Sequence, residues 1–470
     1  MSRNLLVIMS DEHQARALGV AGHFAHTPNL DRLAARGVWF TNAYTPSPIC
    51  VPARASFATG LYPHQTRLWD NAMPYAGQMR GWGHMLQDAG VQVESIGKLH
   101  YRAEGDPAGF DAEHLPMMVK DGVGMVWASM RKPDERVRMQ GRMLGEIGRG
   151  ESTYTRYDQA VTDRAVGWLG GEAADEPFCL YVGLVAPHFP LMAPGPFYDL
   201  YDPDKLPEPK LRPSDGYRRH PWVEAQSWLD QSETKMRDEA ERKAAVAAYF
   251  GLVSWMDHNV GRILDALEVA GLSEETTVVY TSDHGDNVGA RGLWGKSNFY
   301  EESAAVPLIL SRPGGPVGVE HTPVSLIDLS NTIPDHFGLG AIDGSPGRSL
   351  YDIMASPEPD REVFSEYHAA GAVSGGFMLR RGRWKLNHYV GFPPELFDLD
   401  DDPEEMTDRA ADPACAAVLA DMTARLRRIC DPDVVDAQAH ADQTAMIERY
   451  GGREAALNMG AQGATPPPST

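Results

Sequence analysis

Thr277-Val278-Val279-Tyr280-Thr281 is a short run of apolar and β-branched residues that breaks into Ser282-Asp283-His284-Gly285-Asp286. A run of this length and composition reads as a buried strand. The charged residues behind it are then delivered to the strand's carboxyl end. A helical pattern over 237–269 precedes it, and the same unit recurs along the chain. Residues 5–9 run into Asp11-Glu12. Residues 91–97, after a helical stretch at 83–89, run into Lys98-Leu99-His100. Residues 178–186, after an amphipathic stretch at 157–169, run into Pro187-His188. A strand at 306–311 and a helix at 326–337 continue the alternation. Strands alternating with helices predict an α/β fold, a large mixed and mostly parallel sheet flanked by helices. In such sheets the ligand site lies beyond the carboxyl ends of the strands.

Beyond about residue 370 the pattern changes to a hairpin, 377–379 with 384–390, a third strand at 395–399 and a helix at 415–429. This predicts three parts: a large α/β domain over 1–370, a smaller α+β subdomain of antiparallel sheet plus helix over 371–430, and a tail over 431–470. In the tail Val434, Ala437, Ala441 and Ala445 recur at steps of three and four, with Met446 and Tyr450 extending the stripe. That face needs a partner surface, either the chain's own main domain or, as expected here, a neighbouring subunit of a homodimer or homotetramer. The last residues, 460–470, hold Gly, Pro and Ser and are expected to fray.

Across 470 residues, 43 Lys and Arg face 65 Asp and Glu, a formal charge of −22. That balance argues against nucleic acid and anionic membrane as partners. An anionic substrate then requires a local cationic pocket. No apolar run reaches the ~18 residues of a membrane span. Residues 5–9 are too short for a signal peptide core, so the expected location is cytoplasmic. Four cysteines without CxxC spacing give no disulfide framework.

Asp11, Glu12, Asp283 and His284 at neighbouring strand ends form a mixed O/N donor set suited to Ca, Mn or Mg. Cys50-Val51-Pro52-Ala53-Arg54 opens a short helix that Gly60 ends. A cysteine there, beside an arginine, has its thiolate favoured, which suggests a reactive thiol; a plain buried cysteine is the commoner case. Thr27-Pro28-Asn29-Leu30-Asp31-Arg32-Leu33-Ala34, Cys50-x-Pro52-x-Arg54 with Thr59-Gly60, Gly97-Lys98-Leu99-His100, and Ser282-Asp283-His284-Gly285 with Lys296 together resemble the type I sulfatase signature. Glu395-Leu396-Phe397-Asp398-Leu399 with Asp402-Pro403 is similar to that family's small domain. Ala53, the Asp283-His284 pair and Asp70-Asn71-Ala72 resemble the branch holding choline sulfatases and phosphonate monoester hydrolases.

The resemblance implies an alkaline-phosphatase-like fold and Cys50 oxidised to formylglycine by a formylglycine-generating enzyme. It implies one divalent metal, Ca2+ or Mn2+, on Asp11, Asp283, His284 and Glu12. It also implies hydrolysis of a small-molecule sulfate ester, with a phosphonate monoester or phosphodiester hydrolase as the alternative. A non-catalytic binding protein of this fold would have lost some of these residues. Arg54 is then expected to hold a hydroxyl of residue 50, and Lys98, Lys296 and Asn71 to meet sulfate oxygens. His188 would protonate the leaving oxygen, and His100 would take a proton when sulfate is released. Trp127, Trp222 and Trp228, near Asp230 and Glu233, fit ordinary packing or an aromatic–acid cage for a quaternary ammonium, as choline sulfate would need.

Overall fold

The computed structural model describes residues 2–132, 134–139, 141–171, 173 and 176–468. Eight strands form the main sheet: β1 Asn4–Asp11, β2 Val38–Phe40, β3 Gln92–Lys98, β4 Ala112–Met117, β5 Phe178–Pro187, β6 Thr276–Ser282, β7 Leu308–Ser311 and β8 Gly318–Glu320. Their order is β8-β2-β7-β6-β1-β5-β3-β4. Only β7 runs against its neighbours; the other pairings are parallel. The principal helices are α1 Pro28–Ala34, α2 Cys50–Thr59, α3 Thr153–Gly171, α4 Glu239–Val269, α5 Leu326–His336, α6 Ala416–Ile429, α7 Pro432–Arg449 and α8 Gly452–Ala456.

Successive strand residues point to opposite faces, so each central strand feeds two cores. Leu6 and Ile8 of β1, with Leu180 and Val182 of β5, pack against Val161 and Trp168 of α3 and Val253 and Ile263 of α4. Leu5, Val7 and Met9, with Cys179 and Tyr181, pack against Phe57 of α2 and Leu329 and Ile333 of α5. All residues of β1, β5 and β6 are buried, as a sheet covered on both sides requires. Among the described residues no helix is long and apolar enough to cross a membrane.

A second, antiparallel sheet joins β9 Glu362–Tyr367, β10 Gly376–Arg381, β11 Trp384–Tyr389 and β12 Glu395–Asp398 in sequential order. Leu379, Leu386 and Leu396 bury one face of it against Met422 and Leu426 of α6. The boundary expected at residue 371 falls inside this sheet, because β9 pairs along the whole of β10. The edge strands β8 and β4 carry too little apolar pattern, and β2 with three residues is too short, to be read from sequence.

The tail departs from expectation at Met446, which is buried on its own chain, and at its end. Helix α7 buries Val435, Ala439, Gln443 and Met446 against its own chain, while Val434, Ala437, Ala441 and Ala445 are the exposed face. A polar contact decides this orientation: Gln443 Nε2 donates to Asp70 Oδ2 at 2.6 Å and to the His368 carbonyl at 2.8 Å. The terminal stretch, rather than fraying, packs back onto the main domain through residue 465.

Candidate active site

The order β6-β1-β5-β3 sets the carboxyl ends bearing Asp283, Asp11, His188 and Lys98 side by side. Register breaks between Met9 and Asp11 and between Ile96 and Lys98 re-aim the chain where those residues leave the sheet. Gly97 (φ 96°) precedes Lys98 because a Cβ there would lie 2.3 Å from the Gly183 carbonyl oxygen.

Asp11 Oδ1 and Asp283 Oδ1 lie 3.8 and 3.6 Å from His284 Nε2. The Cys50 Sγ, at the first residue of α2, lies 3.2 Å from the same nitrogen and 3.7 Å from Asp11 Oδ1. The four donor atoms fall within 4.8 Å of one another and are fully buried. Each carboxylate turns its other oxygen to a cation. Asp283 Oδ2 accepts from Arg54 Nε at 2.8 Å, and Asp11 Oδ2 from Arg54 Nη2 at 3.2 Å and Lys98 Nζ at 2.6 Å. Burial alone would raise the Asp11 pKa, but Lys98, His188, Lys296 and Arg54 hold it well below the usual carboxylate range. His284 Nδ1–H donates to the Gly285 carbonyl at 3.1 Å, so its Nε2 lone pair faces the cluster. A backbone acceptor behind a ligating imidazole fixes its tautomer in this way in metal sites. Two carboxylate oxygens and one imidazole nitrogen at this spacing fit a single divalent ion.

Arg54 has no donor to spare. Its remaining N–H groups go to the Lys98 carbonyl (2.9 Å), the Tyr181 hydroxyl (2.8 Å) and the Ser10 carbonyl (3.4 Å). With all five taken, the expected contact to a hydroxyl on residue 50 has no N–H to make it; Arg54 clamps the two carboxylates instead. The reactive-thiol reading of Cys50 also fails. Burial, with Asp11 adding, pushes its thiol up to about 11, against the helix N-terminus.

Glu12 takes the left-handed backbone region (φ 71°) and joins Asp11 and His188 in a second buried donor group whose ligand atoms lie within 4.8 Å of one another. Its Oε2 lies 3.0 Å from Lys296 Nζ and 3.4 Å from His188 Nε2. Burial drives its pKa well above the usual range despite Lys296. That placement sets the Glu12 carboxylate beside Asp11 and against the two neighbouring proton carriers, Lys296 and His188. His188 Nδ1–H donates to the Phe189 carbonyl at 2.6 Å, which leaves Nε2 directed toward Glu12. His100, also left-handed (φ 58°), is held by its N–H to the Met117 carbonyl at 2.8 Å. Asn71 Oδ1 accepts the Val51 N–H at 3.3 Å, leaving its amide NH2 for a ligand.

These groups open into a cavity of about 900 Å³, lined by Cys50, Asn71, Lys98, His100, His188 and Lys296 among others. The stretch after β5 and the tail supply its outer wall, including Trp228, Asp230, Glu233 and Thr465. Trp127 and Trp222 are buried packing residues. Sequence reading missed the arginines: Arg136 and Arg138 lie over the Trp228 ring at 5.0 and 4.6 Å.

The family model described as sulfatase matches residues 3–339, and one for the C-terminal region of N-sulphoglucosamine sulphohydrolase matches 289–431. The chain belongs to the sulfatase family. This sulfatase is 34% identical to a choline-sulfatase of Rhizobium meliloti (strain 1021), over 90% of its own length and 85% of the relative's. It is 29% identical to arylsulfatase K of Bos taurus, over 93% and 83% of the two chains. The solved phosphonate monoester hydrolase of Agrobacterium radiobacter shares the fold, with a TM-score of 0.73, 24% identity and coverage of 93% and 96%. The protein is a sulfuric ester hydrolase acting on sulfate monoesters. Sulfatases generally work with formylglycine and a divalent metal, and the Asp11–Cys50–Asp283–His284 cluster has the donors for both.

Proposed function

We propose that the protein cleaves aryl or small alkyl sulfates with formylglycine derived from Cys50 and one divalent ion, Ca2+ or Mn2+, held by Asp11, Asp283 and His284. One observation carries this reading. The ligand-facing atoms of those three residues converge on Cys50 Sγ, while the opposite carboxylate oxygens are neutralised by Arg54 and Lys98.

When bound, the ion supplies positive charge that polarises a sulfate oxygen and acidifies an oxygen on residue 50. Formylglycine supplies an aldehyde hydrate whose two hydroxyls separate attack on sulfur from release of sulfate. The chain's own residues do the rest. Arg54 fixes the carboxylates of Asp11 and Asp283. Lys98 and Lys296 stand where charge shifts among the sulfate oxygens, fixed in advance in a buried site. Asn71 adds an amide donor. His188 delivers a proton from Nε2 to the leaving oxygen, its Nδ1–H tied to Phe189 and its Nε2 3.4 Å from the Glu12 carboxyl. His100 takes the proton from residue 50 that frees sulfate.

The phosphonate monoester or phosphodiester alternative uses the same residues, and likeness to the phosphonate hydrolase shows fold alone. Nitrophenyl sulfate, a phosphodiester and a phosphonate monoester, assayed on aldehyde-bearing protein, separate the two. The sulfate should give the highest kcat/KM; a faster phosphonate overturns the proposal. We do not extend the reading to choline sulfate. Of the three candidate tryptophans only Trp228 lines the cavity, and two guanidinium groups already lie over its ring.

Maturation by a formylglycine-generating enzyme, cytoplasmic residence and a homodimer or homotetramer belong to the same reading. The exposed Val434, Ala437, Ala441 and Ala445 face of α7 is the surface offered to a second copy. Light scattering at micromolar concentration tests assembly, and a monomer overturns it.

A further inference from the structure

The terminal stretch reaches the cavity along a defined path. Helix α7 docks beside the segment carrying Asn71, where Asp442 Oδ2 accepts from Trp69 Nε1 at 2.7 Å and Asp70 accepts from Gln443. After α8 the chain seats on the backbone of Gly124. A Cβ at Gly460 (φ 71°) would fall 1.3 Å from the Gly124 carbonyl oxygen, so only glycine allows that approach. Trp127 Nε1 then donates to the Ala461 carbonyl at 3.0 Å, and the Tyr154 hydroxyl donates to the Thr465 carbonyl. Pinned at both ends, residues 462–465 line the cavity, and Thr465 Oγ1 comes to 2.8 Å from His100 Nε2.

The His100 ring is buried beside Lys98, Arg54 and Lys296, and burial first, then Lys98, keeps it neutral. A neutral imidazole has one N–H and one lone pair. Nδ1 is buried and has no hydrogen-bond partner among the described residues. An orphaned buried N–H is rarer than an under-satisfied acceptor. The favoured tautomer therefore carries its proton on Nε2, where a hydroxyl can accept it. We infer that Thr465 is a positioning residue whose Oγ1 accepts the His100 Nε2–H, holding Nδ1 as the bare nitrogen that takes a proton.

The role given to His100 rests on the sulfatase mechanism above, but the tautomer does not. The test uses full-length protein with Cys50 as the thiol, labelled with 15N-histidine, and His100→Gln to assign the His100 resonances. The wild type should show a protonated Nε2 and a bare Nδ1. Thr465→Val should admit the second tautomer, and Thr465→Ser should restore the first. On aldehyde-bearing, metal-loaded enzyme, Thr465→Val should lower kcat by about 10- to 100-fold with little change in KM, part of what a general base contributes. Thr465→Ser should recover it. A protonated Nδ1 in the wild type, or a tautomer unmoved by Thr465→Val, overturns the inference. So does a rise in turnover in Thr465→Val, which would make the tail an obstruction. Loss of sulfatase activity in every form with the tautomer as expected would fault the mechanism instead.

Discussion

Replacing Arg54 with Met removes a buried guanidinium that donates all five N–H groups, two of them to Asp11 and Asp283. Both carboxylates are fully buried and adjacent, and only Lys98 then remains to offset Asp11 directly. Removing one partner of a buried ion pair costs about 3–5 kcal/mol. Unfolding entropy of ~2.1 cal/mol/K per residue over 470 residues gives about 1 kcal/mol/K. The metal-free variant should therefore melt about 3–5 °C below wild type. A divalent ion neutralises the same two carboxylates, so saturating Ca2+ or Mn2+ should recover at least half of that loss. The variant should also bind the ion more tightly than wild type, since a competing positive charge is gone. Differential scanning calorimetry with chelator and with added ion measures the first effect, and titration calorimetry the second. A variant as stable as wild type in chelator, or a deficit the ion leaves untouched, refutes the account of Arg54 as the clamp on two metal-binding carboxylates.

Asp283→Ala and His284→Ala should each abolish turnover and the thermal stabilisation produced by Ca2+ or Mn2+; a metal-induced shift surviving in either removes that residue from the ligand set. His188→Ala should slow alkyl sulfates far more than nitrophenyl sulfate, because a good leaving group needs little protonation; equal losses on both would take His188 out of that role. Glu366, bonded to His64 and His368, is lowered from its ordinary 4.5 to about 2, burial opposing and His64 then His368 prevailing. A depressed folded pKa gives stability that is complete above the unfolded value and lost as pH falls toward the folded one. Acid unfolding should draw on this between pH 4.5 and about 2, and Glu366→Gln should flatten that part of the stability curve. An unchanged acid limb would show that the His64–Glu366–His368 group is not what acid disrupts.

The strands that build the site were legible because each is an apolar run ended by charge: Asp11, Lys98, His188 and Asp283 all lie where β1, β3, β5 and β6 end. Cys50 at the start of α2 and Gly60 past its end were likewise local signals. What sequence reading missed depends on distant partners. The face α7 buries is set by Gln443 reaching Asp70, which an apolar stripe of alanines cannot foretell. Residues 460–465 have the composition of a frayed end, yet Gly460 fits against Gly124 and Thr465 meets His100, contacts that exist only once the fold is formed. Glu12 follows Asp11 directly in sequence, but its left-handed backbone carries its carboxylate to Lys296 and His188. Arg54 was recognised as a site residue, while its lack of a free donor became visible only when its five acceptors were counted.

The central claim is that residue 50 works as an aldehyde made from a cysteine. Intact-peptide mass spectrometry of the Cys50 segment, on preparations made with and without a formylglycine-generating enzyme, gives the converted fraction of each. Turnover of nitrophenyl sulfate should rise in proportion to that fraction and extrapolate to zero where every residue 50 is a thiol. Full turnover from protein whose Cys50 is entirely unmodified would contradict the account.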